Sequence, residues 1–115
     1  MTQREIRKYL TDIVNCCRNI KQFTSNKTYE DYCSELLLQS GVERQFEIIG
    51  EALNRLLRRD ISFKNKIGYA QEIIDFRNRL SHGYDIVKID IVWGIIQEFL
   101  PQLEEEVNRL LETMD

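Results

Sequence analysis

The apolar residues of this chain recur every three or four positions, and this spacing is the strongest constraint on its fold. The first run of the pattern consists of Ile6, Tyr9, Leu10, Ile13, Cys17 and Ile20. Residues spaced in this way lie on one face of an α-helix, whereas a half-buried strand needs strict alternation of apolar and polar residues. No stretch of the sequence alternates for the length of a strand. The spacing therefore predicts an all-α chain.

Capping and turn-forming residues divide the first half of the pattern into two helices. The first helix is predicted to begin at a capping box formed by Thr2 and Glu5 and to end near Gln22. A loop rich in Ser, Thr and Asn follows it. The second helical run covers residues 28–57, with a bend expected at Ser40-Gly41.

The second half of the chain continues the helical period. A third helix is predicted over Lys66–Ser81, and Gly83 stands where a left-handed residue commonly ends a helix. A fourth run covers residues 87–99, and Pro101 either kinks it or begins a new segment. We therefore predict a single domain over residues 1–115, an all-α, up-and-down bundle of four to five helices.

The fourth helical run is apolar on more than one face. Between Ile91 and Leu100 it leaves few polar positions for solvent. A helix with so wide an apolar surface either lies at the centre of its bundle or is shared with a second subunit. In so small a bundle we expect the shared arrangement, with a two-fold homodimer as the default geometry.

Composition excludes several classes of protein. With 43% hydrophobic and 30% charged residues, the chain resembles an ordinary soluble protein. Its apolar runs are too short to span a membrane, and its charged N-terminal residues do not form the apolar region of a signal peptide. Cys16, Cys17 and Cys33 lack the spacing of a zinc site and are expected to be reduced, small apolar residues. We therefore expect a cytoplasmic protein with no membrane partner.

The net charge of −3 argues against a general nucleic-acid coat, but a local basic patch is present. Five cations fall within twelve residues, against the single acid Asp60, and they are Arg55, Arg58, Arg59, Lys64 and Lys66. Such a cluster either binds phosphate groups or forms the solvated face of a helix. The sequence leaves both interpretations open.

The catalytic chemistry open to the chain is limited. It has no Gly-rich phosphate loop, no paired cysteine ligands, and no Glu-x-x-His pair for a di-metal bundle site. We therefore expect neither a metal site nor a cofactor. His82 is the only histidine, and Arg77 precedes it by five residues.

Arg77 and His82 together could cleave RNA without a metal. A guanidinium stabilises charge on a phosphate, and an imidazole near neutral pH transfers protons. On a regular helix the two residues would point about 140° apart, so they converge only if the helix ends between them. A simpler interpretation is that Arg77 pairs with Asp75 or Glu72, and that His82 is a polar C-cap.

Longer stretches resemble a known family. The string FRNRLSHGYDIVKIDIVWGIIQEFLPQL, at 76–103, closely resembles the signature of the HepT-like branch of the HEPN superfamily. It includes that branch's Arg-x4-His-x-Tyr motif at Arg77, His82 and Tyr84. Upstream, VERQFEIIGEALNRL, at 42–56, is similar to the second conserved helix of the family, with its Ile-Gly-Glu step. The resemblance covers most of the chain from about residue 32 onward.

The resemblance implies a fold, an activity and partners. Proteins of this branch are helical homodimers in which two Arg/His motifs face each other and form one ribonuclease cleft. They cleave RNA endonucleolytically without a metal. HepT proteins are toxins of toxin–antitoxin systems, and each is paired with a minimal nucleotidyltransferase antitoxin. That antitoxin transfers AMP to the tyrosine of the motif, which blocks the cleft.

The resemblance also implies a role for individual residues. Arg77 and His82 would be the catalytic pair, and Asn78 would orient Arg77 or the substrate. Tyr84 would be the adenylylated residue, although a buried aromatic at the helix corner is the alternative. Glu51 completes the Ile-Gly-Glu step, and whether its carboxylate is catalytic or structural is left open.

A second function from a different class is also consistent with these residues. The chain could be a non-catalytic helical partner of a nucleotidyltransferase, binding its substrate or regulating it. Arg77 and His82 would then hold a nucleotide phosphate. Arg79 and Ser81 have no role in either interpretation.

Overall fold

The computed structural model describes residues 1–82 and 89–114, with the backbone only at Ser81 and His82. Within these ranges the chain forms seven helices and no strand, so the prediction of an all-α fold is confirmed. The helices are α1 (Gln3–Thr24), α2 (Tyr29–Ser34), α3 (Leu36–Arg59), α4 (Phe63–Lys66), α5 (Ala70–His82), α6 (Ile89–Glu98) and α7 (Leu100–Glu112). The predicted number of four to five is too low because two short helices, α2 and α4, lie between the longer ones.

The first two helical runs begin at side-chain caps. Thr2 accepts a hydrogen bond from the backbone N–H of Glu5 at 3.1 Å, as the sequence predicted. The second run is not continuous, because the backbone at Glu35 is extended and separates α2 from α3. The expected bend at Ser40-Gly41 is wrong, since both residues lie inside α3. At this break, the carboxylate of Glu35 pairs at 3.0 Å with Lys27, which lies just before α2.

Two later boundaries also differ from the prediction. The third long helix begins at Ala70 instead of Lys66, because residues 63–66 form the separate helix α4. Pro101 lies in the first turn of α7, where its missing N–H leaves no helical hydrogen bond unmade. Of the two alternatives at this proline, a new segment is therefore correct. The expected C-cap at Gly83 lies outside the described residues.

The core forms where α1 packs along α3, α3 along α5, and α1 along α7. Its buried residues are apolar, and no polar or charged residue among those described is buried. Phe46 on α3 meets Phe76 on α5 edge to face at 5.3 Å between ring centroids, which sets the register of these two helices. Cys16 and Cys17 are buried as predicted, whereas Cys33 is exposed. None of the described helices is long and apolar enough to cross a lipid bilayer.

Candidate functional site

Helices α3 and α5 bring three of the predicted site residues together. Glu51 lies in the middle of α3, while Arg77 and Asn78 lie in the second half of α5. His82 is the last residue of α5, but the structure describes only its backbone and not its side chain. Tyr84 is also outside them, so neither of these side chains contributes to the geometry below.

The helices approach closely at Gly50, which lies one turn after Phe46. A Cβ atom at Gly50 would lie 2.5 Å from Cγ and 3.3 Å from Cδ of Arg77. Only a residue without a side chain therefore leaves room for the arginine stem on the surface of α3. This contact explains the glycine of the Ile-Gly-Glu step: it lets Arg77 lie against α3, directly beside the next residue, Glu51.

The guanidinium of Arg77 has two described partners. One Nη atom forms an ion pair with Oε2 of Glu51, which lies 26 positions away in the sequence. The other Nη donates a hydrogen bond to Oδ1 of Asn78 at 2.8 Å. The second oxygen of Glu51 accepts a hydrogen bond from Nε of Arg55 at 2.8 Å. These four side chains form one network, with the Glu51 carboxylate between two arginines.

This network identifies the ion-pair partner of Arg77, which the sequence left open. The predicted partners of Arg77 were Asp75 or Glu72, but the observed partner is Glu51, and Asp75 accepts a hydrogen bond from Gln71 instead. Only 22% of the Arg77 side chain is exposed, against 40% for Glu51. Because a half-buried cation is unfavourable without a counter-charge, Glu51 stabilises the position of Arg77.

The network opens into a cleft of about 310 Å³. Residues from α1, α3 and α5 line it, and they are Tyr9, Asp12, Arg44, Glu47, Ile48, Glu51, Ala52 and Arg77. Its charges are largely paired within the chain: Arg44 with Glu47 at 3.3 Å, and Asp12 with Lys8 at 3.0 Å. The cleft therefore presents positioned charges without a large positive surplus.

A second groove adjoins this cleft at the C-terminal end of α3. It has a volume of about 240 Å³, and its walls are formed by Met1, Glu5, Tyr9, Glu51, Arg55, Arg58 and Arg59. Tyr9 and Glu51 line both cavities, so the cleft and the groove are neighbours on one face of the molecule. Sequence reasoning did not identify Tyr9 as a site residue, because its spacing placed it on the apolar stripe of α1.

The course of α5 bears on the Arg77–His82 pair. The helix includes Arg77 and ends at His82, one residue beyond the predicted end at Ser81, so no break in α5 separates the two residues. Their backbone positions are therefore about 140° apart around the helix axis. Helix α5 alone therefore does not bring Arg77 and His82 together, whereas Arg77 is in contact with both Asn78 and Glu51.

In the part of the chain that the structure describes, no group of three or more His, Cys, Asp and Glu side chains could hold a metal ion.

Comparison with known proteins gives consistent results. A family model described as Ribonuclease HepT-like matches residues 13–110. A protein of Thermococcus cleftensis named "Probable ribonuclease HepT" is 29% identical over 108 residues, which are 94% of this chain and 97% of the relative. A protein of Caldanaerobacter subterraneus named "Putative RNase TTE0752" is 30% identical over 106 residues, 92% of this chain and 94% of the relative.

One relative is longer. A protein of Methanocaldococcus jannaschii named "Gamma-glutamylcyclotransferase and putative RNase MJ0434" is 29% identical over 115 residues, and the chain spans only 50% of its length. No solved structure matches the chain. Because the family model covers residues 13–110, the chain belongs to the Ribonuclease HepT-like family.

Proposed function

We propose that this chain is a metal-independent endoribonuclease, and that it acts in the cytoplasm as the toxin of a toxin–antitoxin system. The observation that carries the proposal is the held guanidinium of Arg77 at the wall of an open cleft. Membership of the HepT-like family supports RNA as the substrate. The catalytic groups are Arg77 and His82.

The reaction needs one charge stabiliser and one proton-transfer group. The 2′-oxygen of RNA attacks the adjacent phosphorus and loses its proton, while the 5′-oxygen of the next nucleotide leaves and gains one. Arg77 stabilises the negative charge on the non-bridging oxygens of the pentacoordinate phosphorane. His82 transfers a proton at either the attacking or the leaving oxygen. The products are a cyclic phosphate and a free 5′-hydroxyl, with no oxidant or reductant consumed.

Glu51 and Asn78 are positioning residues in this proposal. Each contacts one Nη atom of Arg77, so together they limit rotation of the guanidinium. A cation that is already oriented loses less conformational entropy when phosphate binds. Glu51 also lowers the net charge offered to phosphate, so its role is orientation and not attraction of the substrate.

The active form is a homodimer whose two Arg/His motifs form one cleft. The angular separation of Arg77 and His82 on α5 supports this arrangement, since a two-fold partner can supply the group that one helix directs elsewhere. Light scattering should give twice the mass of the chain. In addition, mixing Arg77→Ala and His82→Ala chains, each inactive alone, should restore part of the activity. A monomer, or no restoration after subunit exchange, would contradict the composite cleft.

Tyr84 is the proposed site of neutralisation. An adenylyl group would add bulk and negative charge where RNA phosphate has to bind. Incubation with the cognate minimal nucleotidyltransferase and ATP should add the mass of AMP one or more times. Tyr84→Phe should prevent the addition, and equal labelling of this variant would refute the assignment.

The activity itself is tested by expressing the chain alone and by incubating the purified protein with RNA in EDTA. The wild type should slow growth and cleave RNA, whereas His82→Ala should do neither while keeping the circular dichroism of the wild type. If wild type and His82→Ala behave identically, the proposal fails. The chain would then be better described as a non-catalytic helical partner of a nucleotidyltransferase.

A further inference from the structure

We propose that the groove between α1 and the C-terminal end of α3 holds the RNA strand next to the cleavage site. Arg58 and Arg59 would contact phosphates there, and the ring of Tyr9 would stack on a base. The inference rests on the proposed ribonuclease function, because it extends the substrate beyond the Arg77 cleft.

The first step of the argument concerns charge. The arginines of the cleft have carboxylate partners, with Arg77 on Glu51 and Arg44 on Glu47. Such pairs orient a phosphate but contribute little net attraction. A chain with a net charge of −3 therefore needs unpaired cations elsewhere if it is to bind an RNA strand.

The groove supplies such cations. Arg58 and Arg59 line the groove and are exposed. Neither forms an ion pair with any residue that the structure describes. Three arginines and two carboxylates line the groove, and one of these carboxylates, Glu51, is already bound by two arginines. The cleft is lined by two arginines and three carboxylates. The groove is therefore more positive than the cleft beside it.

The second step concerns continuity. Tyr9 and Glu51 belong to the walls of both cavities, so a strand can pass from one to the other without leaving the surface. Along α3, Arg59 is eight residues beyond Glu51, a distance of about 12 Å, which suits a few nucleotides of a single strand.

The third step concerns the aromatic residue. Tyr9 is only half-buried and lies at the junction of the two cavities. Although the ring packs in part against the core, a partly exposed aromatic beside unpaired arginines can bind single-stranded nucleic acid, with a base on the ring and phosphates on the cations. It binds without regard to sequence, because every base has a flat face.

A structural role for the same cations is the competing explanation. Arg58 and Arg59 lie in the last turn of α3, where positive charge stabilises a helix through its dipole. This role predicts lower thermal stability in variants, but it does not predict any change in RNA affinity. The two explanations can therefore be separated.

The test measures the affinity of a short fluorescein-labelled single-stranded RNA over a series of salt concentrations. It uses the full chain carrying His82→Ala, so that the strand stays intact. Adding Arg58→Gln and Arg59→Gln should weaken binding about 10-fold at low salt. Two lost phosphate contacts should also reduce the slope of log K against log salt by about 1.4. With His82 intact, the double substitution should raise KM and leave kcat unchanged.

Two control variants accompany the test. Arg18→Gln with Lys21→Gln removes the same charge from the side of α1 that pairs with Glu104 on α7, and should change the affinity much less. For the ring, Tyr9→Leu should weaken binding about 5-fold or more, whereas Tyr9→Phe should bind like the unsubstituted chain.

Each outcome decides a separate question. Unchanged RNA affinity and KM in the Arg58/Arg59 variant would overturn the inference, whatever its melting temperature, and leave the ribonuclease proposal intact. If that variant has the RNA affinity and KM of the wild type but no longer binds the nucleotidyltransferase, the groove is a protein-docking surface and the inference is wrong. A wild type that binds RNA through the groove without cleaving it would contradict the proposed function alone.

Discussion

The Arg77 cleft and the Arg58/Arg59 groove lie side by side on one face of α3, yet their charges are organised in opposite ways. In the cleft, Arg77 is mostly buried and is paired with Glu51. In the groove, Arg58 and Arg59 are exposed and have no carboxylate partner among the described residues. A guanidinium that is held by a carboxylate has a fixed orientation. An exposed, unpaired guanidinium instead attracts phosphate groups over a longer distance. Both regions border α3, because Glu51, which holds Arg77 of α5, lies about 12 Å along that helix from Arg59.

The origin of this difference is a single close approach. Gly50 allows the stem of Arg77 to lie on α3, and Glu51 is the next residue in the chain. At the end of α3, Arg58 and Arg59 are exposed, so solvent screens them and they need no counter-charge. Packing, and not sequence composition, therefore decides which arginines become positioned groups.

The largest expected effect, on both stability and RNA cleavage, comes from adding a side chain at Gly50, where α3 and α5 lie close together. Gly50→Ala places a methyl group against the Cβ and Cγ of Arg77, so α3 and α5 must separate or the arginine must leave its position. Overpacking of this kind costs about 1–3 kcal/mol in the free energy of unfolding, measured by urea denaturation. Displacement of Arg77 should also lower RNA cleavage by about 100-fold.

Gly94→Ala is the matched control for this prediction. A Cβ at Gly94, inside α6, meets no atom within 4 Å. The same substitution should there raise the free energy of unfolding by up to about 1 kcal/mol, since alanine favours the helix. Equal stability changes in the two variants would show that Gly50 is not a contact point between α3 and α5.

A smaller effect is expected from Glu51→Gln. The amide oxygen of glutamine can still accept a hydrogen bond from Arg77, but the counter-charge is lost. The guanidinium should become less well oriented, and kcat should fall roughly 10-fold while RNA affinity does not weaken. Glu47→Gln, in the wall of the same cleft, pairs with Arg44 instead and should keep the wild-type kcat. A lower affinity with unchanged kcat would contradict a positioning role for Glu51.

The smallest expected effect is that of salt concentration on the wild-type chain, where the groove and the cleft should respond differently. Raising the salt concentration should raise KM, because the exposed cations of the groove release counterions when RNA binds. At saturating RNA, kcat should change little, since only 22% of the Arg77 side chain is exposed and its guanidinium is held by Glu51 at close range. A kcat that falls in parallel with affinity would show that both regions respond to screening alike.

The spacing of apolar residues predicts most of the helical fold, but it does not predict where one helix ends and the next begins. The period is the same on both sides of Glu35, so it did not reveal that α2 ends there. That break coincides with an ion pair to Lys27, a contact between residues eight positions apart. In the same way, the sequence predicted a break before Lys66 and a helix from Lys66 onward, although residues 63–66 form a separate turn of helix.

The sequence singled out three residues of the Arg77 network but did not predict how they are connected. Motif residues identified Arg77, Asn78 and Glu51, yet the partner of Arg77 is 26 positions away and depends on how α5 packs on α3. Tyr9 carried no local signal, because an apolar stripe does not show which of its members lie at the edge of a cavity. For His82 and Tyr84, the sequence and family membership remain the basis of the proposal.

The most direct test of the central claim, that the cleft at Arg77 is the centre of RNA cleavage, is the rate of cleavage by Arg77→Lys in EDTA. Lysine keeps the positive charge and the aliphatic stem that lies on Gly50, but it loses the planar fork that holds phosphate. We predict a fall of about 100-fold in kcat/KM, with a melting temperature close to that of the wild type. Cleavage at the wild-type rate by this variant would contradict the account.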